Sequence, residues 1–476
     1  MRTIFHVDVN SAFLSWSALK QLKENPDSVD LRTIPSAVGG DVETRHGIIT
    51  AKSIPAKKYG IRTGEPVVKA LAKCPDLVLV KSDFAVYRDY SSRLMELLRE
   101  YTPVLQQASI DEAYLDVTEL LNISHRAADR SVASAFIQNK VNLSHRTTDN
   151  DDISASVHRS QNSTILSTAY SDKDGTNHAT STWNDPESLA REIADHVKKS
   201  LGFTVNVGIS SNKFLAKMAS DFQKPDKIHT LWPEEIPAKM WPLPIGKLYG
   251  CGKATAARLQ NLGIYTIGDA AAADLSLLQG NLGQKAGLYI LERANGRDNS
   301  EVHSEERDAK SYSNETTTAE DITRDNYDTL ALPILKKLSE KVSGRLQRDN
   351  VWGSTVSVIV KTGAFRRHTR QTTLNLPTND AGEIYTQSQA LLYDLMYGKR
   401  TGTDRTQGLF SQGDVLRLIG VGVSNLDNGE NRQMDLFEWA RMNESNVKQK
   451  ERNDKLNDMM SKIKNKYGED AIRRGK

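Results

Sequence analysis

Residues 109–118 have the sequence SIDEAYLDVT, in which two adjacent acidic residues stand directly before an apolar segment. Successive side chains of a regular strand point to opposite faces of a sheet, so Asp111 and Glu112 can serve one site only at a turn or a strand edge. The apolar residues that follow predict a hairpin whose second strand returns into a sheet. The stretch therefore predicts a strand pair with two carboxylates at its turn.

A third carboxylate, Asp8, lies late in the segment 3–9, whose apolar and β-branched residues predict a short buried strand. An unpaired buried carboxylate is costly, so Asp8 needs a counter-charge or a place at an open strand end. Three carboxylates on one sheet edge would need cations between them, and magnesium prefers such oxygen ligands. On spacing alone two interpretations stay open: a two-metal site, or a capping residue and a solvated hairpin tip.

Length and composition limit the class of protein. The 476 residues suggest three or four domains at roughly 100–200 residues each, and the net charge of +3 means that any basic surface is local. Cys74 and Cys251 stand far apart without a Cys/His cluster, which argues against a zinc site or a disulfide framework and favours a cytoplasmic location. We find neither the features of a signal peptide nor a run of about 18 apolar residues, so we expect no membrane span.

The pattern along the chain changes several times. Residues 122–184 are rich in Ser, Thr, Asn, Asp and His and predict a solvated, largely disordered insertion. Residues 244–295 predict short helices joined by glycine turns, and residues 299–310 predict a charged linker. Residues 311–428 alternate helices with strands and predict another α+β domain.

Three motifs occur in order along the chain: DVNSAF (8–13), SIDEAYLDV (109–117) and VGISSNKFLAKMASDFQKPD (207–226). They resemble the palm-domain motifs of the Y-family translesion DNA polymerases, close to the DinB or DNA polymerase IV branch, and the resemblance covers most of residues 1–437 apart from the insertion. It implies an α+β multidomain right-hand polymerase with a ferredoxin-like palm, small fingers, a helix–hairpin–helix thumb and an α+β little finger. The implied parts are palm (1–17 and 82–238), fingers (18–81), thumb (239–298), linker (299–310), little finger (311–428) and C-terminal tail (429–476).

The resemblance also implies an activity. Such a chain would carry out low-fidelity, template-directed DNA synthesis and lesion bypass in DNA repair and the SOS response, joining a dNMP to a primer 3′-hydroxyl. Asp8, Asp111 and Glu112 would bind two Mg²⁺ ions, with the Val9 carbonyl as a further ligand. Primer–template DNA and a dNTP would be its partners, and we expect it to act as a monomer.

The resemblance assigns further residues to the nucleotide. Phe13 corresponds to the steric gate beneath the sugar. The alternative is that Phe13 is simply the first core residue of a helix. Lys224 corresponds to the triphosphate-binding lysine, although a lysine before a turn is usually only a surface residue. Lys57 stands where the family usually has an arginine and provides a point charge instead of a bidentate fork. Ile54 replaces a usual tyrosine and cannot donate a hydrogen bond, and Ser53 replaces a frequent asparagine.

Residues 244–270, PIGKLYGCGKATAARLQNLGIYTIGDA, resemble a helix–hairpin–helix. Gly250 and Gly252 would allow a tight hairpin whose backbone N–H groups approach a DNA phosphate. Lys253 and Thr255 would add a charge and a hydroxyl at the start of the next helix. Such contacts bind DNA without reading its sequence. The alternative is a simple turn between two helices.

Basic residues also cluster in the implied little finger. Lys361, Arg366, Arg367 and Arg370 stand between two predicted strands. A run of this kind is usually a solvated face, but beside a polymerase core we expect it to meet DNA phosphates.

The tail carries a short motif that resembles the bacterial peptide that binds the sliding clamp, the beta subunit of the replicase. Glutamine offers an amide, and the Leu-Phe pair could fill an apolar pocket or equally cap a core. The residues are Gln433, Met434, Asp435, Leu436 and Phe437.

Three other classes of protein fit these residues less well than a polymerase does. A non-catalytic, mutasome-type adaptor of the same family would not need all three carboxylates. A nucleotide cyclase with a similar palm would not need a helix–hairpin–helix or a clamp peptide. A structural DNA-binding protein would need neither Phe13 nor Lys224.

Overall fold

The computed structural model describes residues 2–40, 47–128, 183, 185–304, 308–398, 407–428 and 444–467. The chain divides into two compact units, Met1–Arg307 and Asp308–Lys476. Most of the expected insertion and the whole clamp-like peptide lie outside the described residues. Within the described ranges, no helix combines the length and the apolar character that crossing a membrane requires.

The first unit is built on a five-stranded sheet with the strand order β5-β6-β1-β7-β8. Its strands are β1 (Ile4–Val9), β5 (Leu105–Gln107), β6 (Glu112–Asp116), β7 (Val205–Ser210) and β8 (Ile228–Thr230). The central strand β1 pairs antiparallel with both β6 and β7, and every residue of β1 and β7 is buried. Such burial on both faces explains why β1 is predominantly apolar and why its one carboxylate needs partners.

Helices cover both faces of this sheet. The helices α4 (Phe84–Arg99) and α6 (Pro186–Leu201) share a core with Phe5, Val7 and Val9 of β1. The helix α7 (Lys213–Ser220) crosses β7 so closely that a Cβ on Gly208 would lie 2.0 Å from the Ala216 carbonyl oxygen. A residue with a side chain at position 208 would therefore push α7 away, and only glycine fits.

A smaller sheet follows β1 in the chain, at the position expected for the fingers. Its strands β2 (Ser36–Gly39), β3 (Ile49–Lys52) and β4 (Val78–Val80) have the order β3-β2-β4. The helix α1 (Ala12–Glu24) packs Leu14 and Ala18 against it. Two short helices, α2 (Ile54–Lys58) and α3 (Val67–Lys73), complete this part.

The part expected as the thumb is helical. Its helices are α8 (Lys253–Asn261), α9 (Ile267–Ala272), α10 (Leu275–Leu282) and α11 (Gln284–Ala294). Their core also includes Phe214, Leu215 and Met218 of α7, so α7 joins the five-stranded sheet to the thumb.

The structure describes parts of the expected insertion and of the expected linker. The helix α5 (Thr118–Ala128) extends into the segment expected to be an insertion from residue 122, because Leu121 is buried in the main core and anchors the helix. At the other end of that segment, Trp183 packs against the same core. In the expected linker 299–310, Val302 is buried with Ile4 and Ala216, so one apolar residue holds the start of this charged segment on the first unit.

The second unit is an antiparallel sheet with the order β11-β10-β12-β9. Its strands are β9 (Ser311–Ile322), β10 (Trp352–Thr362), β11 (Arg367–Thr378) and β12 (Leu416–Asp427). The helices α12 (Leu332–Arg348) and α13 (Ala381–Tyr397) share a core with alternate β10 residues, Val356, Val358 and Val360. A further helix, α14 (Glu444–Tyr467), follows. The α+β architecture predicted from the sequence is confirmed in both units.

Candidate active site

Strand pairing brings the three predicted carboxylate residues together. Asp8 lies directly opposite Glu112 in the antiparallel pair of β1 and β6. The next residue, Val9, donates its backbone N–H to the Asp111 carbonyl oxygen at 3.0 Å. Asp111 precedes β6 and lies in the turn, where its Oδ1 accepts a hydrogen bond from the Ser109 hydroxyl at 2.6 Å. In a regular strand, the side chains of Asp111 and Glu112 would point to opposite faces of the sheet. Because Asp111 lies in the turn, this restriction does not apply to it.

Two lysines serve as counter-charges for these acids. The Lys217 ammonium of α7 lies 2.7 Å from Glu112 Oε1 and 3.6 Å from Asp8 Oδ2. The Lys224 ammonium donates to Asp8 Oδ2 and lies 2.7 Å from Asp221 Oδ1. Asp8 therefore has the counter-charge that its burial required.

Burial and charge act on the pKa values in opposite directions. Burial raises the pKa of Asp8, although the neighbouring lysines partly offset this effect. Burial would also raise the pKa of Glu112, but His6 and Lys217 outweigh it and lower this pKa to about 2. Burial would lower the pKa of Lys217, but the surrounding carboxylates raise it instead. Glu112 and Lys217 are therefore a stable ion pair at neutral pH.

The carboxylates open into a cleft of about 330 Å³ between the five-stranded sheet and the smaller sheet. Among its lining residues are all three predicted carboxylate residues and all three predicted nucleotide contacts. These are Asp8, Asp111, Glu112, Phe13, Lys57 and Lys224. Residues far apart in the sequence are thus brought to one site.

The Phe13 ring is held by other aromatic side chains. It stacks on Tyr87 with a centroid distance of 4.6 Å and an interplanar angle of 9°, and it meets Phe84 edge-on at 5.9 Å. Tyr87 is itself buried, and its hydroxyl forms a 2.9 Å hydrogen bond with the Ser17 hydroxyl. The ring is therefore fixed against one wall of the cleft while it also lines the cleft.

The opposite wall comes from β3 and α2. Lys57 is exposed there, and Ile54 lines the cleft with 42% of its surface exposed. Ser53 is buried and caps α2 by accepting a hydrogen bond from the Ala56 N–H at 3.0 Å. Ser53 therefore has a structural role, whereas Lys57 faces the cleft.

The cleft has the donor set of a hard divalent cation, because its three acidic residues offer only oxygen ligands. Among the described residues, no three His, Cys, Asp or Glu side chains converge closely enough to hold a metal ion. The reason is visible in the contacts: Asp8 is turned to Lys224, Glu112 to Lys217 and Asp111 to Ser109. The residue types and their backbone positions fit magnesium, and side-chain rotations would have to bring the oxygens together.

The predicted helix–hairpin–helix begins with a turn that requires glycine. Gly250 has φ +88°, and a Cβ at this position would lie 2.4 Å from the Tyr289 hydroxyl oxygen. Gly252 precedes α8 and is exposed, with open space around it. Lys253 is also exposed, and Thr255 is half-buried in the first turn of α8. The hairpin therefore presents its backbone and one positive charge to solvent.

The four basic residues of the second unit do not all lie on one face of the sheet. Arg367 pairs with Lys361 in the β10–β11 ladder and lies 3.4 Å from Glu315. Arg370 pairs with Val358, whose side chain is in the core, and lies 3.5 Å from Asp394 of α13. Arg370 therefore lies on the opposite face of the sheet from Lys361 and Arg367. An odd spacing of three along a strand places it on the helix-covered face. Arg366, in the turn, lies 2.9 Å from Asp414.

Comparison with known proteins agrees with this architecture. The impB/mucB/samB family matches residues 7–221, its C-terminal domain matches residues 309–436, and the IMS family HHH motif matches residues 233–264. A DNA polymerase IV of Clostridium acetobutylicum is 35% identical over 474 residues, which are 99% of this chain and 97% of that protein. DNA polymerase IV 1 of Bacillus subtilis is 31% identical over 477 residues, 100% of this chain and 92% of that protein.

A solved structure supports the fold. A Y-family DNA polymerase chimera, Dbh-Dpo4(243-245)-Dbh, has a TM-score of 0.65 at 23% identity and covers 89% of this chain and 98% of its own. Fold and relatives together define the class as a DNA-directed DNA polymerase of the translesion type, which is metal-dependent. The chain belongs to the impB/mucB/samB family of Y-family polymerases, on the DNA polymerase IV branch.

Two lysines of the site were not found from the sequence. Lys217 interrupts the apolar segment FLAKMA, and a lysine within a buried helical stripe signals a partner acid. Lys52 lines the cleft beside Lys57. Alternation along β3 could have indicated that Lys52 and Thr50 share one face.

Proposed function

We propose that this cleft joins a dNMP to the 3′-hydroxyl of a primer, using two Mg²⁺ ions held by Asp8, Asp111, Glu112 and the Val9 carbonyl. The observation that supports this proposal is the single cleft lined by the three acidic residues, Phe13 and three lysines. When bound, the metal ions would lower the pKa of the attacking hydroxyl and stabilise the charge on the phosphates.

The protein's own residues have separate tasks in this proposal. Lys217 keeps Glu112 ionised and positioned through a 2.7 Å contact. Phe13 excludes a 2′-hydroxyl, because its ring is fixed by Tyr87 and cannot give way easily. Lys224 lines the cleft and would exchange part of its contact with Asp8 and Asp221 for a phosphate oxygen.

A non-catalytic adaptor is not favoured. An adaptor has no need for a buried Lys217 between Glu112 and Asp8, since burying these charges costs desolvation energy. Retention of the pair is understandable if the carboxylates are needed for chemistry.

Two further regions would hold the DNA. The hairpin at Gly250 and Gly252, with Lys253 and Thr255, is suited to backbone contact with a phosphate. On the second unit, Lys361, Arg366 and Arg367 would meet other phosphates. The side chains of Arg366 and Arg367 stay 61% and 53% exposed beside Asp414 and Glu315, so they can reach a ligand.

We also propose that Gln433–Phe437 binds the sliding clamp and that the polymerase acts as a monomer. The support is sequence alone, because this peptide lies outside the described residues. Replacing both Leu436 and Phe437 by Ala should abolish stimulation of synthesis by the clamp and leave synthesis without the clamp unchanged. Equal stimulation of variant and wild type would refute the peptide's role.

Single-nucleotide incorporation tests the proposed reaction directly. With Mg²⁺ and a defined primer–template, we expect extension by the complementary dNTP, continued synthesis opposite an abasic site, and loss of both after chelation. Extension that ignores the template base, or that persists in excess chelator, would contradict the proposal.

A further inference from the structure

We propose that Lys52 is a second nucleotide-binding residue of the fingers wall and that, together with Lys57, it binds the triphosphate of the incoming dNTP. This inference rests on the proposed function. It assigns a role to a residue outside the three sequence motifs at 8–13, 109–117 and 207–226. It also explains how the chain binds nucleotide although Ile54 offers no hydrogen bond at the cleft.

Lys52 is built into the wall of the cleft. It is the last residue of β3, where its backbone pairs with Ala37 of β2. Burial alternates along this strand, so Lys52 shares the half-buried face with Thr50, and both residues line the cleft. Its ammonium donates a 3.0 Å hydrogen bond to the Thr63 hydroxyl, and Thr63 lines the cleft as well. The amine is therefore held in place before any ligand arrives.

Among the described residues, Lys52 forms no salt bridge. Within the described part of the chain, no carboxylate lies within 4.0 Å of the amine of Lys52 or Lys57. The nearby Glu65 carboxylate pairs instead with Lys73, at 2.6 Å. Lys224, the third lysine of the cleft, already contacts Asp8 and Asp221. Of the three cleft lysines, Lys52 and Lys57 are thus the two that form no salt bridge with a described residue, which suits them to take an anion.

The two lysines also act on each other. Burial lowers the pKa of Lys52 and the charge of Lys57 lowers it further, and together they outweigh the opposite effect of the Glu65 carboxylate. Two positive charges on one wall repel each other, and an anion between them would remove that cost. This pairing has the form of an anion site, in which the ligand supplies the missing counter-charge.

The position in the cleft selects the ligand. A triphosphate carries several negative charges in a short length, which suits three lysines around one cleft. The same cleft contains the carboxylates and the aromatic ring of Phe13, which would meet the other parts of a nucleotide. A template-strand phosphate carries only one charge. Its binding would not explain why the two lysines line the same cleft as the carboxylates. We therefore assign the pair to the dNTP.

The test compares Lys52→Met with Lys58→Met. Lys58 is exposed on α2, one residue from Lys57, but it does not line the cleft, so it controls for a change of net charge. For Lys52→Met we expect the KM for dNTP to rise about tenfold, with kcat within about threefold of wild type. The Kd for primer–template DNA without nucleotide should be unchanged, and Lys58→Met should match wild type in all three quantities.

A second readout does not depend on turnover. With a dideoxy-terminated primer, the equilibrium Kd for dNTP should rise about as much as KM in Lys52→Met, and Lys52→Arg should restore most of the affinity. If Lys52→Met does not fold, Thr63→Val tests the same site, because it frees the Lys52 amine; we expect a KM increase of about two- to fivefold.

Three results would overturn the assignment. They are a dNTP Kd equal to wild type in Lys52→Met, a loss of DNA affinity with unchanged dNTP affinity, and an equal loss in Lys58→Met. The second result would assign Lys52 to the template strand. Failure of the wild-type chain to incorporate any nucleotide would instead count against the proposed function, so the two failures are distinguishable.

Discussion

The Lys217 ammonium lies 2.7 Å from Glu112 Oε1, and the Lys217 side chain is only 8% exposed. Helix α7 packs on the face of the sheet to which Asp8 and Glu112 point, and so it brings this lysine to the carboxylates. The charge that stabilises the acidic residues is thus supplied by the same motif region that also provides Lys224. This ion pair therefore contributes both to the packing of α7 on the sheet and to the charge balance of the site.

Removing this lysine should destabilise the protein in a pH-dependent way. Lys217→Met leaves Glu112 without its closest cation, which we expect to cost about 2 kcal/mol at pH 7, below the full value for a buried pair because Glu112 is partly exposed. The lowered pKa of Glu112, about 2 against 4.5, contributes stability that is complete above pH 4.5 and is lost as the pH falls toward 2. The variant lacks much of this contribution. Chemical denaturation should therefore show the difference in unfolding free energy narrowing from pH 6 to pH 3, and a constant difference would contradict the ion pair.

Shortening the stacked phenylalanine should relax sugar selection. Phe13→Ala removes the ring that lines the cleft against Tyr87, so a 2′-hydroxyl gains room. We expect the ratio of rNTP to dNTP incorporation, each measured as kcat/KM, to rise at least about tenfold. Phe84→Ala is the matched control, since its ring also contacts Phe13 but does not line the cleft, and it should change the ratio less. Unchanged discrimination in Phe13→Ala would remove Phe13 from sugar selection.

The two glycines of the hairpin should behave differently. Gly250→Ala forces a Cβ onto a backbone with φ +88° and against Tyr289, and we expect a stability loss of at least about 1–2 kcal/mol. Gly252→Ala meets open space, so its melting temperature should stay close to wild type. A weaker affinity for DNA in Gly252→Ala at unchanged stability would then report close approach of a phosphate. Equal thermal stability of both variants would contradict the requirement for glycine at position 250.

Salt dependence should separate the basic residues of the second unit. The Lys361→Ala/Arg367→Ala variant should bind DNA more weakly and lower the slope of log K against log salt by about 1 for each lost phosphate contact. Arg370→Ala is the control, because Arg370 faces α13 and pairs with Asp394. A larger loss of DNA affinity in Arg370→Ala than in the double variant would contradict the division of the cluster.

Much of this architecture was predictable from sequence because the motifs are local. Asp8, Asp111 and Glu112 were identified from strand-like surroundings and motif order, and the structure places all three on one cleft. The α+β class followed from hydrophobic periodicity in the same way. Spacing alone left the metal site and the solvated hairpin tip equally open.

What escaped prediction depends on tertiary contacts. Lys217 gains its role only when α7 crosses the sheet, and the separation of Arg370 requires the register of β10 and β11. Val302 anchors a segment whose composition resembles a linker, because burial of one side chain is decided by its neighbours and not by the average charge around it.

The most direct test of the central claim is primer extension by Asp111→Ala with Mg²⁺ on undamaged and abasic templates. Asp111 lines the cleft at the turn, and its hydroxyl partner Ser109 is local, so its loss should spare the fold. Several kcal/mol of charge stabilisation should disappear, so kcat/KM should fall at least about a hundredfold on both templates at unchanged DNA affinity. Extension at the wild-type rate by a folded Asp111→Ala protein would contradict the assignment of this cleft as the polymerase centre.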